Sequence, residues 1–534
     1  MKQTITICIL IILANYGCKN FGKKNKQPII QDTSINLQTS FNNLFFDSSN
    51  LATFINTDSN FQNFSQQFFD FYKHRNFEFA WFDTNGLVEP AHNFYNLQNN
   101  YITTYTDSSL FNKQLQQLFT TVSNTTSPAL IKEQDALTLE LLLTGQFFKY
   151  ASKVYQGSDI NAAELGWFIP RKKINIAATL DSILQTKNNQ PSTYEPLNSQ
   201  YRLLEKYLIK YNQLLKNTDW KTIVIQKNLQ KGDSTKVIST IKKRLFLLGD
   251  LSNEDSTIVF DSTMLKAVKQ FQKRMGLPNS GTIGNATVKE LNKPLDSLIR
   301  KLLVNMERSR WILPDTGTTD KLIVNIPEYK LHVYDSGKYS FSMNVVVGTA
   351  ANSTVIFNGA LQYIVFSPYW NITEDITKKE VLPALKKDPN YLVKNNMEIV
   401  KYVGKIPVIR QKPGPENALG GVKFLFPNSY NIYLHDTPNK DAFSARKRSF
   451  SHGCIRLGEP AKLARFLLRK DTLFTQDSIN KLMHLGKEKW LTAKPKVPVT
   501  IKYFTAWVDE KGLLHFRDDI YGHDAKMSEK LFTK

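Results

Sequence analysis

"KLIVNIPEYKLHVYDSGKYSFSMNVVVG", residues 321–348, alternates apolar and polar side chains with a period of two. Leu322, Val324 and Ile326 share a parity; Tyr329, Leu331 and Val333 follow, then Tyr339, Phe341, Met343, Val345 and Val347. Successive side chains of a strand point to opposite faces, so this pattern predicts three half-buried strands. Asp335-Ser336-Gly337 supplies the turn between the last two. "LQYIVFSPYW" (361–370) and "YNIYLHD" (430–436) extend the strand pattern, and "VTIKYFTAWVDEKGLLHF" (499–516) closes it with a hairpin turning at Lys511-Gly512. Residues 298–534 therefore read as a β-rich domain with a few helices. The alternation lapses over 372–416, where helical pieces such as "ITKKEVLPALKK" (376–387) occur. An insert of that size in a β core is expected to be a lid or binding loop.

Toward the N-terminus the period changes. "KGDSTKVISTIKKRLFLLGD" (231–250) offers Asp233 or Ser234 as helix cap, Val237, Ile241, Leu245 and Leu248 as one face, and Gly249 as the stop. "FDSTMLKAVKQFQKRMGL" (260–277) repeats the arrangement with Asp261 or Ser262, then Met264, Val268, Phe271 and Met275, then Gly276. "GNATVKELN" (284–292) begins a third helix, so residues 223–297 form a small three-helix module. Residues 56–222 mix aromatics with helical spacing. In "DALTLELLLTGQFFKYASKVYQG" (135–157) Leu139, Leu142, Leu143, Phe147 and Tyr150 recur at steps of three or four, and Gly157 is the expected stop. The fold class is thus α+β, with a mainly helical N-terminal region. Residues 19–55 are rich in Asn, Ser, Thr, Gln and Lys, a composition that suits a flexible linker.

"MKQTITICILIILANYGC" (1–18) combines Lys2, an apolar run too short to span a bilayer, and a Gly-Cys step. It resembles a bacterial lipoprotein signal. That resemblance implies export to the periplasm and acylation at Cys18, so the membrane is met only through this anchor. The 534 residues carry a formal net charge of +22. A balance this basic implies anionic surroundings. No stretch resembles a nucleic-acid module, and the Lys and Arg residues are scattered, which turns the expectation from nucleic acid toward an acidic wall polymer.

The chain has three cysteines, and Cys8 and Cys18 lie in the leader. Cys454, in "SFSHGCIRL" (449–457), has no disulfide partner left to it. A thiol reacts as thiolate, which needs a cation, an imidazole or a helix N-terminus nearby. His452 lies two residues before it, His435 ends the run "NIYLHD", and "EPAKLARFLLRK" (459–470) is a helix whose positive end could face the sulfur. Gly453 suits a tight turn that would aim the N–H groups of Gly453 and Cys454 at an oxyanion. Two other readings compete: a small buried apolar Cys454, and a zinc site from His435, His452 and Cys454. No further acidic or Cys/His pair stands at ligand spacing, so no metal is expected. His332 reads as a strand surface residue.

His435, a spacer of fifteen residues, and Ser451-His452-Gly453-Cys454 resemble the signature of L,D-transpeptidases, which cross-link peptidoglycan. "NMERSRWILP", "IVFSPYWNI", "PGPENALGGVKFLFPNSYNIYLHDTP" and "TAWVD" extend the likeness over 300–520. "DSTMLKAVKQFQKRMGLPNSGTIGNATVKEL" (261–291) resembles a peptidoglycan-binding module. Together these imply the large subgroup with a helical scaffold (56–222), a binding module (223–297) and a catalytic domain (298–534) under a capping insert. The resemblance implies Cys454 as nucleophile and His435 as general base, with Ser451, His452 and Gly453 shaping the nucleophile turn and oxyanion hole. Arg456, Tyr433, Trp370 and Tyr369 would line the substrate cleft. It further implies tetrapeptide donor and acceptor stems as partners, no cofactor, and carbapenem-type β-lactams as inhibitors. Arg456 stands where the family commonly has Asn, and Val355 follows Thr354 where many members have Pro. Two rivals remain open at this point: an L,D-carboxypeptidase that transfers to water, and a non-catalytic wall anchor.

Overall fold

The computed structural model describes residues 44–105, 107–185, 196–312 and 317–532. The leader, Cys18 and the linker up to residue 43 lie outside the described residues. The chain divides into two units, Met1–Tyr150 with Asn175–Tyr194, and Ala151–Ile174 with Glu195–Lys534.

The first unit is helical: α1 (Ser48–Thr57), α2 (Ser65–His74), a short hairpin β1 (Phe82–Asp83) and β2 (Gly86–Leu87), α3 (Glu89–Tyr105), α4 (Lys113–Ser123), α5 (Glu133–Tyr150) and α6 (Ile176–Gln185). The linker reading is corrected over its last residues. Asp47 caps α1 through Ser49 N–H, and α1 buries Leu51 and Ile55. The core is aromatic, with Phe61, Phe68, Phe71, Tyr72 and Trp81 all at 0 % exposure. Polar groups are embedded in it, among them Glu140, Thr144 and Gln146 at 0 % exposure. Glu140 on α5 accepts from Ala80 N–H at 2.7 Å, Trp81 N–H at 2.9 Å and the Tyr72 hydroxyl at 2.8 Å. It satisfies the backbone where the chain leaves α2 for the hairpin.

The division into two units cuts across the expected scaffold, residues 56–222. Residues 151–174 and α7 (Ser199–Asn217) belong to the second unit. Trp167 packs edge-on against Trp311, 5.4 Å between centroids, and bridges to Ile356. Glu307 accepts from Ser158 N–H at 2.7 Å and from the Trp311 indole at 2.9 Å. Aromatic composition marks both regions as helical and buried but carries no record of which core each joins.

The small module comprises α8 (Lys236–Leu248), α9 (Ser262–Arg274) and α10 (Asn285–Leu291), followed by α11 (Leu295–Trp311). Asp261 caps α9 through Met264 N–H at 2.7 Å, and Gly249 ends α8 at φ +88°. Asp233 does not cap α8. Its carboxylate instead accepts from Gln230 N–H at 2.8 Å, and Thr235 occupies the cap position.

The β region is a nine-stranded sheet that closes on itself. Its strands are β3 (Lys321–Asn325), β4 (Lys330–Asp335), β5 (Lys338–Gly348) and β6 (Asn358–Phe366), interrupted by the insert. The insert holds β7 (Trp370–Asn371), α12 (Glu374–Ile376), a π-helical turn (Thr377–Val381), α13 (Leu382–Lys387), α14 (Tyr391–Lys394), β8 (Met397–Val403) and β9 (Ile406–Gln411). Then follow β10 (Val422–Leu425), β11 (Leu434–His435), β12 (Ser449–Ser451), β13 (Ile455–Leu457), α15 (Pro460–Leu467), α16 (Gln476–Met483) and β14 (Lys489–Lys502). A separate hairpin, β15 (Ala506–Val508) and β16 (Leu514–Phe516), and α17 (His523–Phe532) end the chain. The order is β12-β5-β13-β11-β10-β6-β14-β3-β4, and β4 pairs back onto β5. The first part of β5 lies on β4, Val345 and Val346 pair with β13, and Val347 and Gly348 with β12, so one long strand serves three neighbours. Ser336 at φ +49° and Gly337 at φ +80° make the tight turn expected between β4 and β5. The insert gains a hairpin, β8–β9, that the lapse of alternation did not suggest.

Candidate active site

Two short strands set the site. β11 and β13 run parallel, with Leu434 opposite Ile455 and His435 opposite Arg456. Leu434 and Ile455 are fully buried in the sheet's core. By the period of two, Tyr433, His435, Cys454 and Arg456 take the other face. The structure thus brings the imidazole and the thiol to one face, on adjacent strands and one step apart along them.

The tautomer of His435 follows from its partner. Nδ1 lies 2.5 Å from the Asp436 carbonyl oxygen, which can only accept, so Nδ1 carries the proton and Nε2 keeps its lone pair. Burial, aided by the positive charge of Arg456, pushes His435 down to about 4. The ring is neutral at physiological pH and available as a base. Asp436 is itself held by the turn before β10: its Oδ2 accepts from Gly421 N–H at 2.9 Å. Gly420, at φ +60°, is required there, because a Cβ would stand 2.4 Å from the Asp436 carboxyl.

Cys454 is half-buried and its thiol donates to the Asn431 carbonyl at 3.5 Å. Burial pushes the thiol above its ordinary value; Tyr433, through its backbone and its hydroxyl, and the charge of Arg456 oppose this. No hydrogen bond joins His435 to Cys454 among the described residues. Both groups rest neutral, and proton transfer between them awaits a reacting partner, as is common where catalytic contacts tighten only on binding.

The nucleophile turn is braced by hydroxyls. Ser451 Oγ donates to the Cys454 carbonyl and accepts from Gly453 N–H at 3.2 Å. Gly453, at φ +115°, adopts a conformation open to glycine. The expectation that both Gly453 and Cys454 N–H groups face an oxyanion is corrected. The Gly453 N–H is spent on Ser451, and the Cys454 N–H alone has no partner among the described residues. The helix reading is corrected too: β13 intervenes, and α15 starts only at Pro460, so its dipole is not adjacent to the sulfur.

Thr354 was not singled out in the sequence as a site residue. Its hydroxyl donates to the Gly453 carbonyl at 2.8 Å and accepts from Gly348 N–H at 2.9 Å, tying β5 to the turn. A threonine in a loop carries no local signal of a contact ninety-nine residues away. Thr354→Val keeps the shape and removes both bonds, at about 1 kcal/mol each. We expect the rate of Cys454 modification by a thiol-directed acylating agent to fall roughly tenfold, which stopped-flow mass analysis would read.

His452 points the other way, with its Nε2 2.7 Å from Glu380 of the insert. The nucleophile turn and the insert are therefore in contact through an exposed pair. Trp370 packs with Ile372, Val381 and Ile409 in the insert's own small core, and the Arg410 guanidinium lies 4.1 Å over the Tyr369 ring. These two aromatics form the root of the insert. Arg456 presents a buried Nε without a partner beside Cys454 and His435. Among the described residues no group of three or more His, Cys, Asp or Glu is placed to hold a metal.

Comparison with known proteins matches three segments of the chain to described domains. Residues 319–482 match the L,D-transpeptidase catalytic domain of the YkuD family, 66–208 a "Scaffold domain", and 234–291 a "Putative peptidoglycan binding domain". A curated protein of Haemophilus influenzae named "Putative L,D-transpeptidase" is 33% identical over 248 residues, covering 43% of this chain and 50% of its own. The chain thus spans about half the length of that relative. Among solved structures, an L,D-transpeptidase of Xylanimonas cellulosilytica matches at 14% identity and TM-score 0.18, covering 52% of this chain and 99% of its own. One from Mycobacterium smegmatis matches at 14% identity and TM-score 0.20, covering 35% and 61%. At those scores the superpositions add nothing to the family match. By residues 319–482, the chain carries an L,D-transpeptidase catalytic domain of the YkuD family, accompanied by a peptidoglycan-binding domain.

Proposed function

We propose that this chain is an exported enzyme that forms 3–3 cross-links in peptidoglycan through a thioester on Cys454. The observation that carries the reading is the parallel β11–β13 pair, which supports a base with a fixed tautomer, a thiol and a cation acting on one face. Nε2 of His435 takes the thiol proton as sulfur bonds to the carbonyl carbon of the diamino acid in a donor tetrapeptide stem. The developing oxyanion is met by the Cys454 N–H and the nearby Tyr433 hydroxyl. The C–N bond to the terminal D-Ala then breaks, and His435 returns the proton to the leaving amine. The side-chain amine of an acceptor stem attacks the thioester, His435 takes the excess proton, and the restored thiol receives it. One amide is exchanged for another, so no redox partner or cofactor is consumed. Arg456, with its unpartnered Nε, would hold a stem carboxylate. Carbapenems, whose strained amide resembles the donor bond, would acylate the same sulfur. Export and a lipid anchor at Cys18 fit a wall-directed enzyme of this charge.

The test is purified protein with disaccharide-tetrapeptide, read by muropeptide mass analysis. Dimers with loss of D-Ala support cross-linking. Tripeptide monomers alone would assign the chain to carboxypeptidases, and unchanged substrate to wall anchors.

The pH profile carries a separate expectation. A His435 held at about 4 loses its base only as pH falls through that value. The acylation rate should therefore be flat from roughly pH 5 to 8. An acid limb centred near 6.5, the ordinary histidine value, would contradict the buried, neutral ring.

A further inference from the structure

A cavity of about 410 Å³ lies away from the nucleophile turn, and its wall is strongly cationic. Lys273, Lys330, Arg446, Lys447, Arg448 and Arg517 line it against two carboxylates, Glu328 and Asp518. The carboxylates offset it only in part: Glu328 lies in the field of Arg517, Lys330 and Arg448, and Asp518 in that of Arg517, two acids against six cations. Glu328 also meets His332 Nε2 at 2.9 Å, and Asp518 meets Arg446 at 3.6 Å. Arg448 spends its N–H groups on the neutral carbonyls of Tyr329, Ala445 and Val345 at 3.0–3.2 Å. Arg517 likewise donates to the carbonyls of Phe516 at 2.7 Å and Arg274 at 2.8 Å. Such bonds fix the guanidinium groups in place, and Glu328 and Asp518 offset only part of their charge. Lys273, Lys330 and Lys447 make no ion pair among the described residues. The floor is apolar, formed by Met275, Leu277, Pro278, Pro327 and Ile520. Its size suits a short peptide. Through Lys273, Glu328, Lys330 and Arg517 it continues into a second cavity of about 190 Å³ that carries Tyr334, Tyr339 and Trp507.

We propose that this groove is a second wall-binding site, which takes the carboxylates of a stem peptide on the cations and the attached sugar toward the aromatic end. One side of it, residues 273–279, belongs to the segment that matches the peptidoglycan-binding description. The excess of cations over carboxylates attracts an anion, and an apolar floor favours a peptide over a free phosphate. The other side, Ser444–Arg448, runs directly into β12 and the Ser451–Cys454 turn. Tyr329, in the cavity wall, contacts β12 through its hydroxyl and Ser449 Oγ at 2.8 Å. A bound stem would therefore lie next to the segment that leads, through β12, into the nucleophile turn. The inference rests on the wall-polymer reading but not on the chemistry at Cys454.

The experiment uses the full chain carrying Cys454→Ala, so that failure of the catalytic reading leaves it intact. Calorimetry measures binding of a disaccharide-tripeptide, of the same probe with its carboxylates amidated, and of inorganic pyrophosphate. Arg446 and Lys447 are exposed, so R446E/K447E should fold, as a thermal melt will confirm. The double variant is expected to bind the free-acid probe at least about tenfold more weakly, with the salt dependence of the parent reduced. Lys266→Glu, on the module's exposed surface, should change affinity less than about twofold. The amidated probe should bind the parent no better than the double variant does. Equal affinity of parent and R446E/K447E, undiminished binding of the amidated probe, or pyrophosphate binding tighter than the free-acid probe would each overturn the proposal.

Discussion

Cys454→Ala should reduce acyl transfer by at least about 10⁴-fold, to the background of the assay, while leaving the melting temperature nearly unchanged. The size of the effect follows from the number of steps that the proposed cycle routes through the sulfur. Without it there is no thioester, and the remaining Cys454-position N–H, Tyr433 hydroxyl and Arg456 can only bind the stem. The small stability effect follows from the packing. Cys454 is half-buried, on the face opposite the core residues Leu434 and Ile455. The turn is held by Ser451 and Thr354 rather than by the thiol. Cys454→Ser tests the same point with a side chain of similar shape, and it should be nearly as inactive because a serine hydroxyl is far less acidic than a thiol. Retention of cross-linking by either variant would remove the mechanism.

Asp250→Ala should destabilise the second unit by about 3–5 kcal/mol, the cost of stripping one partner from a buried ion pair. Asp250 Oδ1 accepts from Arg274 Nε at 2.6 Å, a second bond joins Oδ2 to Arg274 Nη2, and both side chains are within 4 % of full burial. The pair secures the end of α9 where the chain turns at Gly276. The same Arg274 backbone carbonyl accepts from Arg517, and its Nη1 reaches the Leu514 carbonyl at 3.4 Å in β16. Loss of Asp250 leaves a guanidinium buried without an anion, so the module should loosen together with the C-terminal hairpin. Denaturant titration of the full chain would read this as a lower midpoint. A shift below about 1 kcal/mol would mean that water reaches Arg274 in the variant.

Local patterns in the sequence led to the β4–β5 hairpin because alternation and a Ser-Gly turn are read within a dozen residues. The α9 cap at Asp261 and the Gly249 stop were legible for the same reason. What escaped depended on distant partners. Asp233 looks like a cap, yet Gln230 and Lys227 compete for its carboxylate. Trp167 and Glu307 tie residues 151–174 to the second unit, across about 150 residues of chain that no periodicity spans. At the site, the histidine-to-cysteine spacing suggested a paired base and thiol, and β11 and β13 are adjacent parallel strands with His435 opposite Arg456, two residues beyond Cys454. The supports did not show in the spacing: Thr354 under Gly453, Gly420 making room for Asp436, and Glu380 against His452. Gly453's N–H was lost to Ser451 for a reason visible only in three dimensions, since a hydroxyl two residues away can fold back onto it.

The central claim is that Cys454 becomes the covalently carried acyl group's sole attachment point. Intact-mass analysis of the purified chain after brief exposure to a carbapenem, followed by peptide mapping, measures this directly. One adduct per chain, confined to the peptide containing Cys454 and absent from Cys454→Ala, is the predicted result. An unmodified Cys454, or an adduct that persists in Cys454→Ala, would contradict it.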